Sequence, residues 1–480
     1  MIDKREILEA ATALGLNPHV VEKDYVLGWL LWGIYGHDAL AESWVFKGGT
    51  CLKKCFFETY RFSEDLDFTL TDASHLDTDF LKTVFAEIGE RIYEESGIEL
   101  PSRYQEFEIY TNPRGMTSCQ GKIGYQGPVS PRGKSTPRIK LDLTADERIV
   151  LAPVQSPVFH PYTDTPDGGI IALSYAYEEA FGEKVRALAE RARPRDLYDV
   201  VNLFRNDSAR PAAAVLLDVL RQKCAFKGIE LPVLASLQSY KTNLEGGWNT
   251  MLAHQLPALP PVEAFWDELP AFFEWLEGGV APVIPAAYVR TPGEEVIRER
   301  TLRLPLPRTA QSWLEIIRFA ASNRLCVDLT YQGSIRRIEP YSLRRTKDGN
   351  IILHAHNLDK SEHRSYRVDR IQGAQVTNQT FVPRYEIELT PAGPVAIAPT
   401  TTGAPARPSR GFGVPARARI VRPRTPRRGT GYSGPTYVYE CTYCGKRFRR
   451  KKQTTSLNPH KDKSGYPCSG RYAHWVDTQY

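Results

Sequence analysis

The stretch from Phe46 to Leu70, FKGGTCLKKCFFETYRFSEDLDFTL, constrains this chain more than any other. An apolar lead, Trp44-Val45-Phe46, runs into Gly48-Gly49-Thr50, and a helix-periodic segment follows through Leu52, Cys55 and Phe56. The stretch then reaches Ser63-Glu64-Asp65-Leu66-Asp67-Phe68. Residues two apart on a strand share a face, so Asp65 and Asp67 stand side by side with Leu66 and Phe68 behind them. Two carboxylates so close repel each other and ionise together only around a cation. Oxygen donors of this kind suit Mg²⁺, which is held by one or two carboxylates together with substrate phosphates. Gly48, Gly49 and Thr50 open a helix with bare backbone N–H groups, a setting that favours phosphate. A phosphate cradle joined to metal carboxylates is the equipment of phosphoryl or nucleotidyl transfer.

Further along, Arg138-Ile139-Lys140-Leu141-Asp142-Leu143-Thr144 alternates as a half-buried strand, with Asp142 on its polar face. Residues 176–193 read as a helix containing Glu183-Lys184, and Arg195-Asp196-Leu197-Tyr198-Asp199 follows it. A lysine meets triphosphate as a point charge, and an aspartate can orient that lysine. Two helices precede the central stretch, over 3–16 and 21–35. The second opens with Glu22-Lys23-Asp24-Tyr25, read as a structural helix start with its charges on the wet face.

Gly-Gly, then about a dozen residues, then Asp-x-Asp resembles the minimal nucleotidyltransferase fold of the DNA polymerase β superfamily. More narrowly, Phe46-Lys47-Gly48-Gly49-Thr50 with Arg61-Phe62-Ser63-Glu64-Asp65-Leu66-Asp67 resembles the AbiEii/AbiGii toxin nucleotidyltransferases. Glu22-Lys23-Asp24-Tyr25, Glu183-Lys184 and Arg195–Asp199 match that family's other marks in order, and the resemblance covers residues 1–230. The family often carries a hydroxyl residue directly after a single glycine; here Thr50 follows Gly49 and would carry that role. The resemblance implies an α+β core with Asp65 and Asp67 on Mg²⁺, Asp142 as third carboxylate (ligand or base), Lys184 on the triphosphate and Asp196 in the site, while Asp199 and Arg195 are read as bracing the helix pair. It also implies transfer of a nucleoside monophosphate from an NTP to an acceptor such as the 3′ end of tRNA, and an antitoxin protein as partner. Two other readings remain at this point: a catalytically silent nucleic-acid sensor, and a transferase acting on a protein or small molecule.

At 480 residues the chain exceeds one hydrophobic core. We divide it into a transferase with a helical lobe (1–277), a Pro-rich linker (278–308), a β-module (309–390), a Pro/Arg-rich disordered linker (391–435) and a metal-binding end (436–480). The apolar run from Tyr25 to Tyr35 is far shorter than a membrane span, and the amphipathic first helix is no signal peptide. With mostly solitary cysteines, a reducing cytoplasm is expected.

In the β-module, Leu325–Tyr331 and later alternating segments, punctuated by Lys347-Asp348-Gly349, read as the short strands of a small barrel. Arg337-Ile338-Glu339-Pro340-Tyr341, Tyr366–Ile371 and Phe381-Val382-Pro383-Arg384 resemble a WYL domain, with Ile351-Ile352-Leu353 where the namesake triplet would stand. The resemblance implies an Sm-like barrel sensing nucleotides or nucleic acid. Tyr341, Arg344, His354, Arg367 and Arg370 are its candidate contacts, because arginine grips phosphate bidentately and tyrosine stacks on bases.

From Arg407 to Tyr480 there are 17 Lys and Arg against 3 acids, a surplus of 14 on a chain of net charge +6, so the rest is acidic by 8. A basic end on an acidic body points towards nucleic acid, with Arg449 and Arg450 as candidate contacts. Within it, Cys441-x-x-Cys444 with His460 and Cys468 has structural-zinc spacing, and His474 is a possible substitute ligand.

Overall fold

The computed structural model describes every residue except 58–60, 131–135, 207–208, 281–291, 298–307, 390–435, 451–452, 463–466 and 480. The Pro/Arg-rich segment expected to be disordered therefore lies outside the described residues. The chain divides into two compact units: the larger carries the transferase and the WYL-like module, the smaller the C-terminal cysteines.

Two helices lead in. In α1 (Lys4–Leu14) the Asp3 side chain accepts from the Arg5 N–H, and Gly15, left-handed at φ 65°, ends it. Asn17 caps α2 (Pro18–Tyr35) with Pro18 in the first turn. A seven-stranded sheet follows, built from β1 (Trp44–Lys47), β2 (Asp65–Leu70), β3 (Gln105–Thr111), β4 (Thr117–Gly124), β5 (Arg138–Thr144), β6 (Val154–Pro157) and β7 (Ile171–Ser174). Its order is β3-β4-β5-β2-β1-β7-β6. The β2–β5 and β1–β7 pairs are parallel and the others antiparallel.

Trp44, Phe46, Leu66, Phe68, Ile139, Leu141 and Leu143 are buried on the apolar face. Rings of α2 and of α4 (Thr78–Ser96) cover it: Tyr35 lies 6.4 Å from Phe68, and Phe85 6.2 Å from Trp44. The opposite face is left for the polar alternates of the same strands. Between β1 and β2 the chain makes α3 (Gly48–Cys51), continued by a wide π turn over Leu52–Phe56.

Seven helices extend the sheet: α5 (Tyr177–Arg191), α6 (Pro194–Arg205), α7 (Ala213–Lys227), α8 (Leu234–Leu237), α9 (Lys241–Leu252), α10 (Glu263–Trp266) and α11 (Leu269–Leu276). A further helix, α12 (Arg308–Ser322), opens the second module. None of the helices among the described residues is long and apolar enough to cross a membrane.

The second module is an antiparallel sheet of β8 (Glu295–Val296), β9 (Leu325–Tyr331), β10 (Ser334–Arg345), β11 (Ile351–Asn357), β12 (Glu362–Arg367) and β13 (Ile371–Thr380). Its order is β12-β11-β10-β9-β13, with β8 also on β10. Among the described residues no pairing joins β12 to β13, so the ring is open there. The expected linker is thus partly structure, since Val296 and Glu295 pair with Arg344 and Arg345. A two-residue strand is too short for alternation to reveal. The two modules meet at Glu268: Arg205, at the end of α6, donates to it at 2.7 Å and Arg324 at 2.5 Å.

Candidate active site

Strand register assembles the site. Lys47 on β1 stands opposite Asp67 on β2, and Asp67 opposite Asp142 on β5. Gln120 on β4 extends this row beyond Asp142. One step along, Asp65 faces Lys140, which faces Lys122. Asp65, Asp67 and Asp142 therefore share one face as three partly exposed carboxylates. Burial, then the charges of Asp142 and Asp65, push the Asp67 carboxyl up to about 6 against the pull of Lys47 and Lys184. Burial and Asp65 likewise raise Asp142, with Lys140, Lys47 and Arg191 opposing. Such crowding of hard oxygen donors is relieved by a divalent cation, so the residues present fit one.

The glycines are fixed by this geometry. Gly48 adopts φ 80°, and a Cβ there would stand 2.1 Å from Asp67 Oδ2. A Cβ on Gly49 would meet the Arg61 guanidinium at 2.5 Å. The backbone thus lies directly against the carboxylates. Thr50 is buried and its hydroxyl donates to the Asp65 carbonyl, so the side chain braces the β2 strand while its backbone belongs to the helix start.

Lys184 reaches the site from α5. Its ammonium lies 2.6 Å from Asp199 and 3.5 Å from Asp196, so Asp199 is the nearer partner, although the sequence pointed to Asp196. Arg61 grips Asp199 bidentately at 2.7 and 2.8 Å, and Arg191 grips Asp196 at 2.8 and 3.0 Å. Arg61 and Lys184 hold the buried Asp199 carboxyl well below the usual range despite desolvation. This network locks α5 to α6 and fixes where Lys184 and Arg191 point. Lys47, Arg61, Arg191 and Glu147, which lies 3.6 Å from Lys47, carried no assigned role in the sequence reading. Only long-range pairing brings them in; the one local hint was that Lys47 and Arg61 border the two halves of the motif.

The α2 charges are not on the wet face. Glu22, Asp24 and Tyr25 are buried. Lys54 donates to Asp24 at 2.7 Å, and Glu22 accepts the N–H groups of Val129 and Ser130. The role is structural, but distant partners draw the charges inward. Lys23 alone faces the rim, 2.7 Å from Glu64.

In the WYL-like sheet the candidates do not line one basic pocket. Tyr341 is buried and donates to Glu339 at 2.7 Å. Arg344 is buried between Glu388 at 3.0 Å and Glu294 at 3.6 Å, and His354 lies 3.1 Å from Glu294. Arg367 pairs with Asp369 at 2.7 Å on the outside, where Arg370 is also exposed.

The C-terminal unit folds as a three-stranded sheet of β14 (Thr436–Cys441), β15 (Arg447–Arg450) and β18 (Ala473–Gln479), with β16 (His460–Lys461) and β17 (Pro467–Cys468) paired beside it. Cys441, Cys444, His460 and Cys468 converge so that their donor atoms all lie within 4.8 Å of one another. His460 Nδ1 lies 3.1 Å from the Asn458 carbonyl, which leaves Nε2 towards the sulfurs. Tyr443 and Gly470 give N–H groups to Cys441 and Cys468 Sγ at 3.4 and 3.3 Å. The set is compatible with zinc; His474, on an exposed strand position, is outside it. Arg449 is exposed, whereas Arg450 donates to the Ser456 carbonyl at 2.6 Å.

Residues 29–277 match the family described as nucleotidyl transferase AbiEii toxin of type IV toxin–antitoxin systems, and residues 312–376 match the WYL domain. Among solved structures the chain is similar to MenT4, a nucleotidyltransferase toxin from Mycobacterium tuberculosis H37Rv. The identity is 18%, the match covers 58% of this chain and 91% of MenT4, and the TM-score is 0.41. No curated protein matches the chain. The first match spans just over half of the sequence, and the chain belongs to the AbiEii family of nucleotidyltransferase toxins, with a WYL domain behind its catalytic region.

Proposed function

We propose that the chain transfers a nucleoside monophosphate from an NTP to the 3′ end of an RNA, tRNA being the acceptor its family resemblance suggests, and that it does so in the cytoplasm under the control of an antitoxin. The observation that carries this reading is the row Lys47–Asp67–Asp142, with Asp65 beside it and Lys184 above. Asp65 and Asp67 would hold Mg²⁺, which when bound neutralises phosphate charge and favours an in-line displacement. The backbone at Gly48 and Gly49 receives phosphate oxygens. Lys47, Lys184 and Arg191 balance the charge that builds on the leaving pyrophosphate. The acceptor hydroxyl oxygen bonds to the α-phosphorus as the bond to pyrophosphate breaks. Asp142, whose raised affinity for protons suits a base, takes the hydroxyl proton. Cys441, Cys444, His460 and Cys468 would hold a structural zinc that fixes the C-terminal unit, with no open position for chemistry.

The test is transfer of label from each α-³²P-NTP to total RNA with Mg²⁺. Asp67→Ala is expected to lose at least about 10³-fold in rate, on the order of 4 kcal/mol of transition-state stabilisation. Label on protein or small molecules in place of RNA, or label that survives the substitution, would sink the reading.

A further inference from the structure

Cations flank the three carboxylates on two sides. One group, Lys47, Lys184 and Arg191, acts on Asp67 from β1 and α5. The other lies past Asp65, where the polar face of the sheet runs on as a shelf. There Lys140 stands opposite both Asp65 and Lys122, and Arg138 lies two residues before Lys140 on the same face. Lys23 and Arg195 close the far side, with His254 from the helical lobe. Together they enclose a cleft of about 280 Å³ that carries five Lys and Arg against two acids, Glu64 and Asp65.

The pairing within this cleft is uneven. Lys23 and His254 share Glu64 at 2.7 and 3.3 Å, and Lys122 and Arg138 share Glu106 at 3.7 and 2.7 Å. Lys140 and Arg195 have no ion-pair partner among the described residues. Positive charge is therefore in excess beside a metal carboxylate, where attraction for a polyanion is strongest.

In-line transfer puts the attacking and leaving oxygens on opposite sides of the α-phosphorus. If the group near Asp67 faces the pyrophosphate, the group near Asp65 faces the acceptor. The small volume suits the end of a single strand, with Lys122 and Arg138 placed outward for the phosphates before it.

We propose that the cleft of Lys140, Arg195, Lys122 and Arg138 is the acceptor site, gripping the phosphodiester backbone of a single-stranded 3′ end as it enters beside Asp65. The inference rests on the proposed transfer to RNA. Phosphate contacts position a strand without reading its sequence, so this site sets the approach of the terminal hydroxyl and leaves base selection to other surfaces.

The test uses the full chain and α-³²P-NTP labelling of RNA across a series of KCl concentrations. The double variant Lys140→Ala/Arg195→Ala is expected to raise the KM for RNA by about tenfold or more. It should also flatten the salt dependence of log kcat/KM by about 1.4, the value for two single-strand phosphates. The KM for NTP and the melting temperature serve as controls and should match wild type. Lys140→Arg/Arg195→Lys, which keeps both charges, should restore the RNA KM. An unchanged RNA KM and salt slope in the alanine variant overturns the acceptor cleft while leaving RNA transfer standing. A wild-type protein that labels protein and no RNA overturns both.

Discussion

The two sheets of the larger unit treat charge in opposite ways. On the transferase sheet like charges are gathered: three carboxylates share a face, and in the cleft beside Asp65 neither Lys140 nor Arg195 has an ion-pair partner among the described residues. In the WYL sheet each buried charge meets its opposite at close range, Arg344 with Glu388 and Glu294, and Glu339 with Arg384. The first arrangement sets like charges against one another; the second pairs opposite charges off. Basic residues on a strand pattern are thus a poor guide to a ligand pocket unless their acids are known. In this sheet the acids come from Glu294, in the expected linker, and from Glu388, beyond the last strand.

The contrast can be sharpened by removing one charge from each sheet. Arg344→Ala leaves buried Glu388 and Glu294 without their cation and is expected to cost about 3–5 kcal/mol in denaturant unfolding. A cost near zero would show that the WYL cluster is not self-neutralising. On the transferase sheet the sign reverses. The Asp67 carboxyl, raised from its ordinary value to about 6, contributes stability that is complete below about pH 3.8 and lost as pH rises through about 6. Asp67→Asn in EDTA is therefore expected to raise the melting temperature by roughly a few degrees at pH 8 and to leave it nearly unchanged at about pH 3.5. Mg²⁺ should stabilise only the wild type, increasingly above pH 6. A destabilised Asp67→Asn at pH 8 would mean that the carboxylates are not in conflict. The smallest effect is expected outside: Arg367→Ala, which breaks an exposed pair with Asp369, should move the melting temperature by less than about 1 °C.

Much of the site was legible because its parts are local. Gly48, Asp65 and Asp67 fall within one turn and one strand, and Asp142 announced itself by alternation. Its place beside Asp67 required the parallel β2–β5 register, which no local pattern encodes. For the same reason Asp199 outranks Asp196 at Lys184, since the brace depends on Arg61, 138 residues away in sequence. The burial of Glu22 and Asp24 was hidden because their partners, the loop at 129–130 and Lys54, come from elsewhere. No motif named above falls in the helical lobe past residue 211. Yet His254 reaches the cleft from it, and Lys223 holds Glu179 at 2.6 Å behind α5.

Glu268 has a practical consequence for anyone dissecting the protein. It receives Arg205 from the transferase and Arg324 from the WYL module, and these cations lower its affinity for protons despite burial. A fragment ending at residue 277 would keep Glu268 and Arg205 and lose Arg324. The family boundaries therefore mark where sequence patterns change, and a cut between them parts Glu268 from one of its two cations.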